Sequence, residues 1–271
     1  MYGGIFLKVG ISTACLYPQE TEAALDQLLD AGFDCFEIFL NTISEMEPAY
    51  VRKLREKLVQ GNAVLKSLHP FTSGYEPYLI FTDYKRRFRD SLDFYKRYFE
   101  TAQYLGAGIL VLHGDKKTPE TGISNEEYFE KFGELSLLGE RYGVTLAQEN
   151  VNQFRSQNPS FLKQMRTYLG DRAKFVFDIK QAVRSGNDPT QVCRAMGKGL
   201  VHLHINDNKK GEDCLLPGCG AMDYSALFAL LKENRYQGDC IIEVYSNNYS
   251  NIWELVQARD FVRRELTAAG L

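Results

Sequence analysis

The sequence has no C-x-x-C pair: its six cysteines, Cys15, Cys35, Cys193, Cys214, Cys219 and Cys240, are scattered along the chain. A disulfide framework or a thiolate zinc site would cluster them, so buried or incidental thiols in a reducing compartment are expected. Neither charge is in excess, with 32 Lys and Arg against 35 Asp and Glu for a net −3, so nothing pulls the chain generally toward nucleic acid. The short basic run Lys85-Arg86-Arg87 with Arg89 reads as a solvated helix face. No apolar run approaches the roughly 20 residues that span a bilayer, and Met1 to Gly10 lacks the basic start and apolar stretch of a signal peptide. A cytoplasmic protein without membrane or nucleic-acid partners is the expectation; homo-oligomerisation is compatible with it.

What is present suits one closed core. The length of 271 residues, with 44% hydrophobic and 25% charged, is close to the roughly 250 residues of an eight-stranded α/β barrel. Short apolar runs alternate with longer amphipathic stretches, the mark of repeated βα units around a parallel sheet. The runs are Lys8 to Ala14, Cys35 to Leu40, Val64 to His69, Ile109 to His113, Thr145 to Glu149, Lys174 to Asp178, Val201 to Ile205 and Cys240 to Val244. Helices are expected over Glu20–Ala31, Pro48–Gln60, Tyr84–Leu105, Asn125–Tyr142, Pro159–Tyr168, Pro189–Met196, Tyr224–Glu233 and Ile252–Ala268. In the third, Phe88, Leu92, Tyr95, Phe99, Ala102 and Leu105 recur every three or four residues and make one apolar stripe. Glycines at 32, 61, 106, 143 and 170 stand where helices hand over to strands, as positive φ at a helix C-terminus requires. An open doubly wound sheet would carry G-x-G-x-x-G after its first strand, where this chain reads Thr13-Ala14-Cys15-Leu16-Tyr17-Pro18. The fold expected is a single (β/α)8 TIM barrel over residues 1–271.

Six of the apolar runs carry, as their last or next-to-last residue, a group that can bind a metal: His69, His113, Glu149, Asp178, His204 and Glu243. Taken singly, such a carboxylate is usually a helix N-cap and such a histidine a packing residue. Strand ends of a barrel meet at one mouth, however, and three acids and three imidazoles gathered there would repel and desolvate one another unless a cation compensates them. The chain has only four histidines, and all of them, including His202, lie on these strands. Alternation puts His202 and His204 on one face about 7 Å apart, with His204 nearer the mouth and the better ligand. His202 then takes a structural or supporting role. A ligating imidazole donates its other N–H to an acceptor, for which Asp207 and Glu37 are both candidates by position. A set rich in oxygen ligands with one imidazole suits Mn²⁺ or Zn²⁺ first, with Co²⁺ or Mg²⁺ as alternatives.

The order Glu149-Asn150, Asp178 with Gln181, His202-Leu203-His204-Ile205-Asn206-Asp207, Pro217-Gly218-Cys219-Gly220 with Asp223-Tyr224, and Ile241-Ile242-Glu243 resembles the xylose-isomerase-like barrels of the sugar phosphate isomerase/epimerase family. The resemblance spans nearly the whole chain. It implies Glu149, Asp178, His204 and Glu243 as ligands of one divalent metal, and Glu149 and Glu243 as an acid/base pair on opposite sides of a carbohydrate substrate carbon. It also places Lys210 near a basic residue that reaches substrate, and His69, His113 and Gln181 among the groups that contact it. The chemistry implied is proton transfer on a small sugar, sugar phosphate or polyol ketone through an enediolate. The alternatives are an apurinic-site endonuclease, which shares the architecture, and a barrel that binds sugar without catalysis. Two departures from the family matter. Gln181 stands where a histidine is common, and Glu212-Asp213-Cys214 replaces an Asp-x-His pattern typical of the endonuclease. A second metal at His69, His113 and Glu149 with Cys214 nearby is the further option these residues leave.

Overall fold

A computed structural model describes residues 7–116 and 122–271; the start of the Met1 to Gly10 stretch lies outside the described residues. Eight parallel strands close into a barrel: β1 (Val9–Ser12), β2 (Cys35–Phe39), β3 (Val64–His69), β4 (Ile109–Leu112), β5 (Thr145–Glu149), β6 (Phe175–Asp178), β7 (Leu200–Ile205) and β10 (Cys240–Ile242). The strands follow chain order around the barrel, and β10 closes it against β1. Between β7 and β10 a short antiparallel hairpin, β8 (Asp207–Lys209) and β9 (Glu212–Leu215), stands apart from the barrel.

The helices are α1 (Thr21–Asp30), α2 (Pro48–Gln60), α3 (Glu76–Leu79), α4 (Lys85–Leu105), α5 (Asn125–Glu140), α6 (Pro159–Leu169), α7 (Ile179–Arg184), α8 (Pro189–Met196), α9 (Tyr224–Glu233) and α10 (Ile252–Ala269). Along α4 the expected stripe is buried at Phe88, Tyr95, Phe99, Ala102 and Leu105, with Lys85, Arg86, Arg87 and Arg89 on the solvent side. Gly106 ends it at φ +88°, its N–H bonding back to Ala102 and Gln103. Gly61 departs from the expectation. Its φ is −77°, Asn62 takes the positive φ instead, and a Cβ on Gly61 would lie 2.5 Å from Leu29. Here glycine leaves room for the end of the Leu29 side chain.

Alternation along the strands sorts two interiors. Phe36, Ile38, Leu110, Leu146, Phe175, Phe177, Leu203 and Ile242 belong to the large core shared with the helices, while Val111, Ala147 and Val176 form a separate buried cluster. The mouth-end layer is the polar one. Several apolar runs continue past their strands: Glu243 follows β10, His113 follows β4, and Thr13–Leu16 after β1 form a 3₁₀ turn in which the Ser12 hydroxyl accepts from the Ala14 N–H. Helices α3 and α7 and the hairpin were not expected, being too short to carry a periodic signal. All six cysteines are free, and all but Cys219 are buried. Among the described residues, no helix is long and apolar enough to cross a membrane.

Candidate active site

At the mouth, β5, β6, β7 and the residue after β10 bring Glu149, Asp178, His204 and Glu243 together, with one potential ligand atom from each within 4.8 Å of the others. Nδ1 of His204 lies 3.5 Å from Glu149 Oε1, 3.4 Å from Glu243 Oε2 and 3.9 Å from Asp178 Oδ2. On its far side, the His204 Nε2 lies 3.0 Å from Glu37 Oε2, an acceptor that also receives the Ser67 hydroxyl at 2.7 Å and faces His202 Nε2 at 3.3 Å. Glu37 is thus the acceptor behind His204, and His202 sits one layer deeper in the same network.

These groups fit a divalent cation. His204 Nδ1 is buried with no hydrogen-bond partner, Asp178 Oδ2 is buried and meets the Lys180 ammonium at 3.0 Å without hydrogen-bond geometry, and Glu149 Oε2 meets the His113 ring at 2.9 Å in the same way. Buried polar atoms are rarely left so, and a cation at their centre would satisfy them. Burial pushes the Asp178 carboxyl up, and Glu243 and Glu149 reinforce it against the Lys180 ammonium. For Glu149, burial is outweighed by His113, His204 and His69, and for Glu243 by Lys180 and His204, so both are held below the usual carboxylate range. Burial lowers His204, but Glu37 and Glu243 overcome it and raise the imidazole well above its ordinary value. His202, with burial dominant, is lowered.

Asp178 is at once a strand end and a helix cap. Its Oδ1 accepts the Gln181 N–H at 3.2 Å and so begins α7, while its Oδ2 turns to the cluster. Asn150 pins it from β5, accepting the Asp178 N–H at 2.7 Å and donating to its carbonyl at 2.9 Å. Beside this set, His69, His113 and Glu149 form a second cluster, with the two imidazole Nε2 atoms 2.9 Å apart. A cavity of about 410 Å³ opens over both clusters, lined by His69, His113, Glu149, Lys180, Gln181 and Glu243, and walled by Tyr17, Phe39, Asn41, Phe71 and Tyr245. A larger one, about 660 Å³, lies at the other end of the barrel between Lys66, Lys198, Arg235 and Asp239, and of the clustered groups it touches only His202. Chemistry, not size, selects the mouth.

The family model of the xylose isomerase-like TIM barrels matches residues 25–265. The chain belongs to this family. An uncharacterized protein of Mycobacterium leprae is 24% identical over 96% of this barrel and 98% of its own length. The L-ribulose-5-phosphate 3-epimerase UlaE of Salmonella paratyphi C is 36% identical over 137 residues, 49% of this barrel and 48% of that enzyme. Among solved structures, a D-tagatose 3-epimerase-like protein superposes with a TM-score of 0.80 at 20% identity, covering 97% of this xylose isomerase-like chain and 98% of the other; at that identity the likeness is one of fold.

Three expectations need correcting. Asp207 does not reach His204. Its carboxylate accepts the backbone N–H groups of Asn208, Gly218, Gly220 and Met222 and so holds the Pro217-Gly218-Cys219-Gly220 turn. A Cβ on Gly220 would collide with Asp207 Oδ1 and with the Asn208 backbone carbonyl, which explains that glycine. Lys210 stands exposed at the hairpin tip, where Gly211 at φ +83° turns the chain, and does not line the cavity. Cys214 faces Lys180, Asp178 and Glu243 and is not among the groups around His69 and His113. The residue that sequence reasoning passed over is Lys180, buried in the cluster with Nζ 2.6 Å from Glu243 Oε2 and 3.0 Å from Asp178 Oδ2. Its only signal in the sequence is a lysine two positions after a strand-end aspartate.

Proposed function

We propose that this protein is a divalent-metal-dependent epimerase or isomerase of a small sugar, sugar phosphate or polyol ketone. The observation that carries this reading is the pairing of Glu149 and Glu243 in one aromatic-walled cavity, each clustered with Asp178 and the unpartnered Nδ1 of His204. The residues that would hold the ion are Glu149, Asp178, His204 and Glu243, a set that suits Mn²⁺ or Zn²⁺ and admits Co²⁺ or Mg²⁺. When bound, the ion supplies Lewis acidity to a carbonyl and its neighbouring hydroxyl, which acidifies the adjacent C–H.

The rest falls to side chains. Phe39, Phe71 and Tyr245 offer flat apolar faces to the C–H side of a sugar and keep water from the reacting carbon. Asn41 and Gln181 offer amides to its hydroxyls. One glutamate, held ionised by its neighbours, takes the proton from carbon, and the other, having picked up a proton from solvent, delivers it from the opposite face, which inverts the centre; exchange with solvent then returns both to their starting states. His204 is kept in a fixed orientation by Glu37 throughout. The family membership and the partial similarity to an L-ribulose-5-phosphate 3-epimerase support a carbohydrate substrate.

The test is incubation of the metal-loaded protein with a panel of ketoses and ketose phosphates in deuterated water. Deuterium at one substrate carbon is expected; none with any substrate or metal would sink the proposal. The cluster of His69, His113 and Glu149 favours a second reading, a metal-dependent phosphodiesterase acting at apurinic sites. Against it, Gln181 accepts the Asn152 N–H and Asp213 is paired with Arg184, so neither is arranged as a further ligand. Cleavage of an abasic-site duplex would reverse the ranking.

A further inference from the structure

The two oxygens that Lys180 touches, Asp178 Oδ2 and Glu243 Oε2, are two of the three that face His204 Nδ1, at 3.9 and 3.4 Å. The ammonium therefore sits at the edge of the space a cation would fill, on a side chain only 3% exposed. We propose that Lys180 is a built-in counter-cation of the metal site: it compensates Asp178 and Glu243 when no ion is bound, and it competes with the ion for their oxygens, holding the ion's affinity down. The inference rests on the metal reading above and adds how this chain sets the strength of that binding.

Three carboxylates and an imidazole converge within 4.8 Å, too close to remain together without positive charge. Lys180 supplies one unit. A carboxylate oxygen has a second lone pair, so the ammonium need not leave when an ion enters, yet two cations on the same pair of oxygens in a buried site repel strongly. The Tyr245 ring lies 5.2 Å from Nζ, and the cavity lies beside it, so the ammonium has a cation-accepting face to turn toward as the ion loads. A lysine serving only as a structural ion pair would stabilise the metal-free protein without weakening the ion's hold.

Lys180→Met keeps the length of the side chain and removes the charge; Lys180→Gln is a second neutral variant should the first not fold. Titrating each variant and the parent protein with Mn²⁺ in a calorimeter, and melting them with and without saturating Mn²⁺, separates the cases. The neutral variants are expected to bind Mn²⁺ at least about tenfold more tightly. Metal-free, they are expected to melt below the parent, with the gap closing once Mn²⁺ is bound. Lys180→Arg, which keeps the charge, should not show the tightening. Folded neutral variants that bind Mn²⁺ no better than the parent overturn the proposal while leaving the metal site in place. Absence of Mn²⁺, Zn²⁺, Co²⁺ and Mg²⁺ binding by parent and variants alike overturns the metal reading itself, and this inference with it.

Discussion

Oε2 of Glu37 and Nε2 of His204 lie 3.0 Å apart, and this contact decides which ring nitrogen faces the Glu149, Asp178 and Glu243 carboxylates. With Nε2 engaged by the carboxylate, Nδ1 is the atom left to meet Glu149 and Glu243. Glu37→Gln keeps the shape and removes the charge that stabilises the ring. Divalent-ion affinity is expected to drop by about 10–100-fold with the fold intact. Calorimetric titration with Mn²⁺ checks this, and an unchanged affinity would mean that something else orients the ring.

The two glutamates and the remaining ligands should fail differently. Glu149→Gln and Glu243→Gln are expected to retain much of the metal, because an amide oxygen still coordinates, while turnover falls by about 10²–10⁴-fold with the loss of a proton carrier. Asp178→Asn and His204→Ala should lose activity through metal affinity, and excess metal should restore part of it. Metal content and turnover measured together decide the matter: full turnover in either metal-bound Gln variant refutes the assigned acid/base pair.

Asp207 predicts the opposite pattern to Glu37. Replacing it with Ala strips an acceptor from the N–H groups of Asn208, Gly218, Gly220 and Met222. Stability should decrease by at least about 2 kcal/mol, with each kcal/mol lowering the melting temperature by about 2–4 °C. Metal affinity should hardly change. A variant that melts normally but loses metal would return Asp207 to the site.

Burial pushes the Glu76 carboxyl up from 4.5 to about 7, against the His113 ring and the donors Gly114 N–H and Tyr95 hydroxyl. The unfolded chain gives up this proton near 4.5 and the folded chain near 7, so unfolding releases a proton within that window. Stability from this group therefore declines as pH rises through it, by about 3 kcal/mol in all. Glu76→Gln cannot titrate. Urea unfolding of both proteins at intervals from pH 4 to 8 should show the variant gaining on the parent by that amount, and a constant difference would mean Glu76 stays ionised when folded.

The barrel was legible because its strands are short apolar runs buried along nearly their whole length, as strands covered on both faces are, and because β5 and β6 end on the acids that close the apolar run. The clustering of Glu149, Asp178, His204 and Glu243 was legible for the same reason, since a barrel forces its strand ends together. What lay beyond reach depended on local geometry. Asp207 and Glu37 were equal candidates by position, and only the hairpin, which carries Asp207 toward the Pro217–Gly220 turn, separates them. Lys180 was hidden because α7 is six residues long, too short to declare which of its side chains points inward. Lys210 looked closer to the mouth than it is, because a lysine six positions after His204 reads as adjacent until the chain doubles back at Gly211.

Because Asp178 begins α7 with one oxygen and faces the cluster with the other, Lys180 and Gln181 ride on the first turn of a helix whose anchor is a proposed ligand. Exchanging either residue alters the lining of the cavity while the anchor stays where β6 puts it. The short helix behaves as a cartridge seated in a fixed socket: two neighbouring positions can change what the cavity presents without rebuilding the mouth.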